Sequence, residues 1–470
     1  MGFESVNPLR YAFVKNLMEV ILNQRLTADG LMLLKKAVTG LVHKSHASIP
    51  IGVVELNHLG LVYANIGPRG STGFLPEGAS AISELASLLH RQSERYRRGT
   101  DFASLRLELA NRIIALFGAK EEALSAPDVA RIQDDIATWF AGTAVRRIHY
   151  VPCTIIPYEA NQFTVGPIRF IHEKKFLEER PKSNAACDLA YETVLKALQE
   201  RHACWVATVT VENAEEKRSL ELADLSVDIA LSGLHLVLPQ DVSQRMSRIN
   251  GRTWPAWSSL LFTTSDQNTH SGISNSQPGL TMHPESFNLL INGHQLILDS
   301  VGRRISSFLN LNTPFNGLER SWCDAAYWLH EALSEPLDTI ALAKFETAIE
   351  ILLCAGSSQM SEARIRTAFS AFLGLKKDDV LSPDSQVTVK DFSKSIVKAR
   401  SRVLHGTWST LTNEMSVSRK DVTALTLHFV RAFTSHLDLY LNTNPANADK
   451  VEAFLDWIAE QRARGKGLNI

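Results

Sequence analysis

The chain has 470 residues, 45% of them hydrophobic, enough to bury more than one core, so two or three domains are expected. Its 49 Lys and Arg against 50 Asp and Glu leave a formal charge of −1, which excludes a protein coated in basic residues for bulk nucleic-acid binding. Five cysteines (Cys153, Cys187, Cys204, Cys323 and Cys354), odd in number and without CxxC spacing, predict reduced thiols in a cytosol.

The opening residues carry an early acidic residue and an amphipathic pattern in place of a continuous apolar run, so no signal peptide is indicated. With no apolar run of ~18 residues, a cytoplasmic protein with no membrane partner is expected. From residue 9 to about 140 the apolar spacing is mainly helical: Leu9 to Leu22, Thr27 to Val42, Ala79 to Arg98, Ala103 to Phe117 and Pro127 to Phe140. The glycine-rich stretch 47–76 interrupts it, with short strands expected at Ile51-Gly-Val-Val-Glu-Leu and Leu59-Gly-Leu-Val-Tyr.

From about 145 β-branched residues alternate with polar ones. Strands are expected at Arg147 to Val151, Gln162 to Ile171, Ala203 to Val211 and Leu289 to Leu298, with helices near 184–200 and 222–237 between them. The Ser, Thr, Asn, Gln and Gly-rich run Thr263 to Ser286 reads as a long polar loop or insertion. After about 305 helices return: Leu318 to Ser334, Asp338 to Cys354, Ser361 to Leu373, Thr388 to His405, Ser418 to Leu441 and Lys450 to Gln461. The expected fold class is α+β with several domains: a mainly helical N-terminal region (1–145), a mixed α/β region (146–305) and an all-α C-terminal bundle (306–470).

Within the fourth of those C-terminal helices runs Lys398-Ala-Arg400-Ser-Arg-Val-Leu-His405-Gly406, which contains an RxxxxH spacing. An imidazole can exchange a proton near neutral pH, and a guanidinium can neutralise a phosphate passing through a pentacovalent transition state. The spacing alone says little: with 30 Arg and 15 His in the chain, roughly one instance arises by chance. There are two, and context separates them. Arg431 and His436 lie in an ordinary amphipathic helix, whereas Arg400 and His405 follow Lys390, Lys394, Lys398 and Arg402, a row of cations on one helix side, and Gly406 stops the turn. On a straight helix Arg400 and His405 are about 140° apart. Meeting at one phosphate requires a curled Arg400 side chain, a distorted last turn or a site shared by two subunits.

Together with Ala341-Leu-Ala-Lys-Phe-Glu346-Thr-Ala-Ile-Glu350-Ile-Leu-Leu, this element resembles the HEPN superfamily, and is most similar to its ApeA-like branch, over roughly the last third of the chain. The resemblance implies a HEPN helical bundle that cleaves cellular RNA such as tRNA without a metal or other cofactor. It also implies a homodimer formed through this domain and a role in bacterial anti-phage defence or abortive infection. By analogy with that branch, residues 1–305 act as a sensor or scaffold answering a phage-derived or nucleotide trigger. Carried over, His405 exchanges a proton with the 2′-hydroxyl or the leaving 5′-oxygen, Arg400 binds the scissile phosphate, and Glu350 orients one of them, with Glu346 as competitor. Ser401 holds backbone or a phosphate oxygen, while Lys394, Lys398 and Arg402 guide RNA.

Plainer readings stand beside these. His405 can serve as a helix C-terminal cation, Glu350 as a surface ion-pair partner, and the lysines as a solvated face. A non-catalytic HEPN sensor, adaptor or nucleotide-binding dimerisation protein is the alternative function, and a toxin restrained by a separately encoded partner is a third. Gly67-Pro-Arg-Gly-Ser-Thr-Gly73 lacks a GKS/T ending and reads as a turn-rich loop. His43 and His46 have no nearby Cys or carboxylate to complete a zinc site, so no metal is assigned. Trp254 and Trp257 read as a packed corner beside Pro255.

Overall fold

The computed structural model describes residues 28–38, 41–45, 62–67, 70–117, 126–179, 185–201, 203–239, 245–249, 251, 257–265, 268–276, 278–381, 386–409 and 417–464. Its backbone contacts divide the chain into two units, Met1–Arg146 with Glu212–Ser219, and Arg147–Val211 with Leu220–Ile470. The helix expected at Leu9 to Leu22 and the strand at Ile51 to Leu56 lie outside the described residues.

In the first unit, α1 (28–38) precedes an antiparallel sheet of order β1-β3-β2, formed by β1 (Leu41–Ser45), β2 (Val62–Gly67) and β3 (Gly70–Phe74). The helix expected over Thr27 to Val42 therefore stops early, and its last residues belong to β1. The glycine-rich run 67–73 supplies the facing ends of a hairpin in which Gly67 pairs with Gly70. Then come α2 (Pro76–Gln92), α3 (Glu94–Gly99), α4 (Phe102–Phe117) and α5 (Ala126–Thr143). Ile82, Leu85, Ala86 and Leu89 form a stripe at helical spacing on α2 and share a buried core with Leu105, Leu109 and Ile113 of α4 and Val129, Ile132 and Ile136 of α5.

The second unit opens with a five-stranded antiparallel sheet of order β5-β6-β7-β4-β8. Its strands are β4 (Arg147–Thr154), β5 (Phe163–Val165), β6 (Ile168–His172), β7 (Trp205–Val211) and β8 (Ser247–Arg248). α6 (Glu173–Glu178) and α7 (Ala185–Glu200) lie between β6 and β7, and α8 (Glu216–His235) follows β7. Thr263 to Ser286 is not a loop. A hairpin of β9 (Trp257–Ser265) and β10 (Asn268–Ser276) runs in continuous register from Trp257↔Ser276 to Ser265↔Asn268, because a ladder is closed by backbone groups and asks little of side-chain polarity.

The strand expected at Leu289 to Leu298 is likewise replaced by helix, α9 (Pro284–Gly293) and α10 (Gln295–Leu309). Phe287, Ile291, Leu298, Val301 and Ile305 are buried at helical spacing, while Leu289 and Leu296 are exposed; the apolar window conceals a pattern visible only over its flanks. The chain runs through position 305 inside α10, which packs on both β5 and the next helix. Gly166, at φ +57°, turns β5 into β6, and a Cβ there would lie 2.4 Å from the Cα of Gly302, so both glycines are needed for the sheet to meet α10.

The remaining helices are α11 (Gly317–Leu333), α12 (Asp338–Leu352), α13 (Ser358–Ala368) with a π turn at Phe369–Leu373, α14 (Val389–Leu404), α15 (Arg419–Thr443) and α16 (Val451–Ala463). α12 is the central helix, touching α11, α14 and α15. Trp322, Phe345, Phe429, Phe433 and Phe454 are fully buried among them, each contributing about 2 kcal/mol by leaving water. Secondary structure is mostly helical with a minor sheet, as an α+β reading requires. No helix among the described residues is long and apolar enough to cross a membrane.

Candidate functional site

Helix α14 begins at Thr388, whose hydroxyl oxygen accepts the Asp391 N–H at 3.1 Å and whose hydroxyl donates to the Asp391 carboxylate at 2.7 Å. Its buried face, Val389, Phe392, Ser393, Ile396 and Val397, packs on the bundle, and Arg400 continues that inner face one turn on. Lys390, Lys394 and Lys398 are exposed on the outer face. Arg402 joins them in sequence, yet its guanidinium sits over the Trp408 ring at 5.3 Å, so part of its surface covers an indole.

On α12, Glu346 and Glu350 are one turn apart and face α14. Arg400 Nη2 lies 3.0 Å from Glu350 Oε2 and its Nε 3.4 Å from Glu346 Oε2. The second contact is an ion pair without hydrogen-bond geometry, since both of those atoms lack a hydrogen-bond partner. Ser361 of α13, buried, donates its hydroxyl to Glu346 Oε1 at 3.0 Å. Burial, and secondarily the neighbouring Glu350 carboxylate, push the Glu346 carboxyl up to about 7, against the pull of Arg400 and Ser361. The site is thus two acids and one cation, with a buried carboxyl that titrates near neutrality.

His405 occupies the C-cap of α14, where its backbone N–H donates to the Ser401 carbonyl at 3.0 Å. Gly406 at φ +65° lets the Thr407 N–H close back onto the Arg402 carbonyl at 2.9 Å, and a Cβ at Gly406 would meet nothing within 4 Å, so backbone conformation alone selects glycine. The His405 imidazole is exposed and makes no hydrogen bond or ion pair among the described residues. The structure therefore gathers Arg400, Glu350 and Glu346, and leaves His405 at the helix end without a bond to any of them. Ser401 takes part through its backbone carbonyl.

The second RxxxxH has a different setting. His436 is buried within α15, and burial holds its imidazole below the usual histidine range. His43 lies on β1, His46 lies outside the described residues, and Trp257 opens β9 while Trp254 also falls outside them.

Two groupings escaped the sequence reading. Ser361 carried no signal, because its role depends on α13 folding against α12. The other is a buried network in which His235 Nε2 lies 3.1 Å from His330 Nδ1, His330 Nε2 lies 3.8 Å from Asp228 Oδ1, and Arg248 Nε binds Asp228 at 2.9 Å. Burial pushes Asp228 up to about 7, and burial with the nearby Arg248 holds His330 down to about 4. His235 and His330 stand in apolar helical runs whose spacing announces core and nothing more. No protein-family model, curated protein or solved structure matches the chain.

Proposed function

We propose that the C-terminal bundle is a HEPN-type endoribonuclease that acts on cellular RNA, tRNA among its substrates, as part of a bacterial defence response gated by residues 1–305. The observation that carries this reading is the Arg400 guanidinium, half-buried and held by Glu350 and Glu346 of α12, about one turn before an exposed His405. The two acids fix the direction of the guanidinium, whose fork is the part that would meet a phosphate.

In this reading His405 removes the 2′-hydroxyl proton, O2′ attacks phosphorus, and the bond to the 5′-oxygen breaks as that oxygen takes up a proton. The products are a 2′,3′-cyclic phosphate and a free 5′-hydroxyl. Arg400 neutralises charge building on the phosphoryl oxygens, and Lys394, Lys398, Ser401 and Arg402 border the path of the RNA. Because Arg400 and His405 share no bond within the chain, the arrangement favours a homodimer in which two such elements face one phosphate.

A second reading rests on the same contacts: Arg400 is already engaged by Glu350 and flanked by Glu346, which suits a non-catalytic sensor, adaptor or nucleotide-binding dimer with Arg400 as a structural ion pair. Purified protein, with Arg400→Ala and His405→Ala variants alongside, is incubated with total RNA in EDTA. The nuclease predicts new cleavage ends from wild type that both variants lose. Equal cleavage by all three would refute the assignment, and absence of cleavage with retained dimerisation selects the adaptor.

A further inference from the structure

The end of the β6–β7 ladder carries a second site. His172 is the last residue of β6 and pairs across the sheet with Trp205, so Cys204 precedes β7 at the same end, and Glu173 starts α6 beside them. One ligand atom from each of His172, Glu173 and Cys204 lies within 4.8 Å of the other two. We infer that His172, Glu173 and Cys204 form a binding site for a borderline divalent transition metal, zinc being the ion that fits best.

The argument is one of donor chemistry and rigidity. An imidazole nitrogen, a carboxylate oxygen and a thiolate sulfur together suit zinc and exclude calcium or magnesium, which take oxygen donors only. Bonds of about 2.0–2.3 Å place tetrahedral ligands roughly 3.5 Å apart, so side-chain adjustments of about an ångström close the observed triangle. Three protein ligands leave the fourth position to water, reached from solvent past Glu173 and Cys204, which are only half-buried.

The backbone holds the three together: the Glu173 N–H donates to the Cys204 carbonyl at 2.8 Å. His172 is buried and its ring stands edge-on to Trp205 at 5.6 Å, and Trp205 is itself fixed by its indole N–H on the Ile156 carbonyl at 2.9 Å. The ligand atoms are also underused. The neighbouring Lys174 is taken by Glu159 at 2.9 Å, and the Glu173 carboxylate and Cys204 thiol have no hydrogen-bond or ion-pair partner among the described residues. His172 Nδ1 accepts one long bond, 3.4 Å, from the Lys174 N–H. Metal binding expels the Cys204 thiol proton to solvent, one per ion, and forms the S–metal bond in its place.

That long bond makes His172 an N-cap for α6, the competing structural role. Asparagine caps as well as any residue but lacks the imidazole, so His172→Asn separates the two. The full chain, stripped of metal, is titrated with Co2+ and followed through the thiolate-to-cobalt charge-transfer band, then with Zn2+ in competition. One Co2+ per chain, displaced by Zn2+, is expected, with the band abolished in Cys204→Ser, affinity reduced about tenfold or more in His172→Asn and Glu173→Gln, and both unchanged in Cys354→Ser. Circular dichroism confirms that each variant is folded; if Cys204→Ser is not, the His172→Asn and Glu173→Gln titrations decide. No stoichiometric binding by the wild type, a band that survives Cys204→Ser, or full affinity in His172→Asn overturns the site.

Discussion

Within the candidate site, Glu346 is the residue whose chemistry the surroundings change most visibly. Its carboxyl stays protonated in the folded chain up to about pH 7 but ionises in the unfolded chain above about pH 4.3. Over that window the folded state holds the extra proton, so its contribution to stability falls as pH rises, by about 3 kcal/mol in all. Glu346→Gln removes the slope while keeping an acceptor for Ser361. In denaturant unfolding, the stability of the variant relative to wild type is expected to grow by about 2–3 kcal/mol from pH 5 to pH 8. Arg400→Ala tests the other side of the pair. Removing the cation leaves two acids facing one another, and the expected loss is about 1–3 kcal/mol at pH 8 but less at pH 5, where Glu346 is protonated. An equal loss at both pH values would mean that Arg400 contributes by packing alone. The RxxxxH spacing is legible in the sequence, but the engagement of Arg400 by both Glu346 and Glu350 is not, because helical spacing puts the acids on one face without saying which helix covers it.

At the scale of the element, the C-terminal helices are the best-read part of the chain. Their apolar stripes, Thr388 as N-cap and Gly406 as C-terminal stop lie in contiguous sequence, where local chemistry decides. Gly406→Ala forces a Cβ into a left-handed conformation in open space, so the expected cost is only about 1 kcal/mol, seen as a shifted denaturation midpoint with unchanged slope. Gly166→Ala meets both the same conformational cost and the backbone of Gly302 at 2.4 Å, and the expected loss is about 3 kcal/mol or more. The contrast separates a glycine needed for its φ from one needed for close approach. Two elements depart from the expected structure for different reasons. Leu289 to Leu298 is too short a window to show its period, and only with Phe287, Val301 and Ile305 does the helical stripe appear, whereas the Ser- and Asn-rich hairpin 257–276 is held by backbone pairing that no side-chain pattern reports.

For the whole molecule, the buried titratable groups act on pH stability in opposite directions. Glu346 and Asp228, raised to about 7, lose stability as pH climbs toward 7; His330, lowered to about 4, and His235, lowered by burial, lose it as pH drops below about 6.5. Asp438, held down to about 2 against its own burial by Arg303 and Arg304, adds stability that disappears only in stronger acid. Between roughly pH 4.5 and 6.5 the two effects oppose one another, with His90, His149, His428 and His436, also lowered by burial, adding to the histidine side. By itself the sequence determined the order and type of most helices, the appearance of strands after residue 145, and the spacing of an arginine and a histidine before a helix-stopping glycine, since each depends on residues within a few turns of one another. Only the tertiary structure decided that the Glu346 carboxyl is buried against Ser361, that Asp228, His330 and His235 share one interior network, and that His172, Glu173 and Cys204 converge at a sheet end. Those groups are brought together by helix packing and strand register over long stretches of chain, and burial, which sets their charge, exists only after the chain has folded.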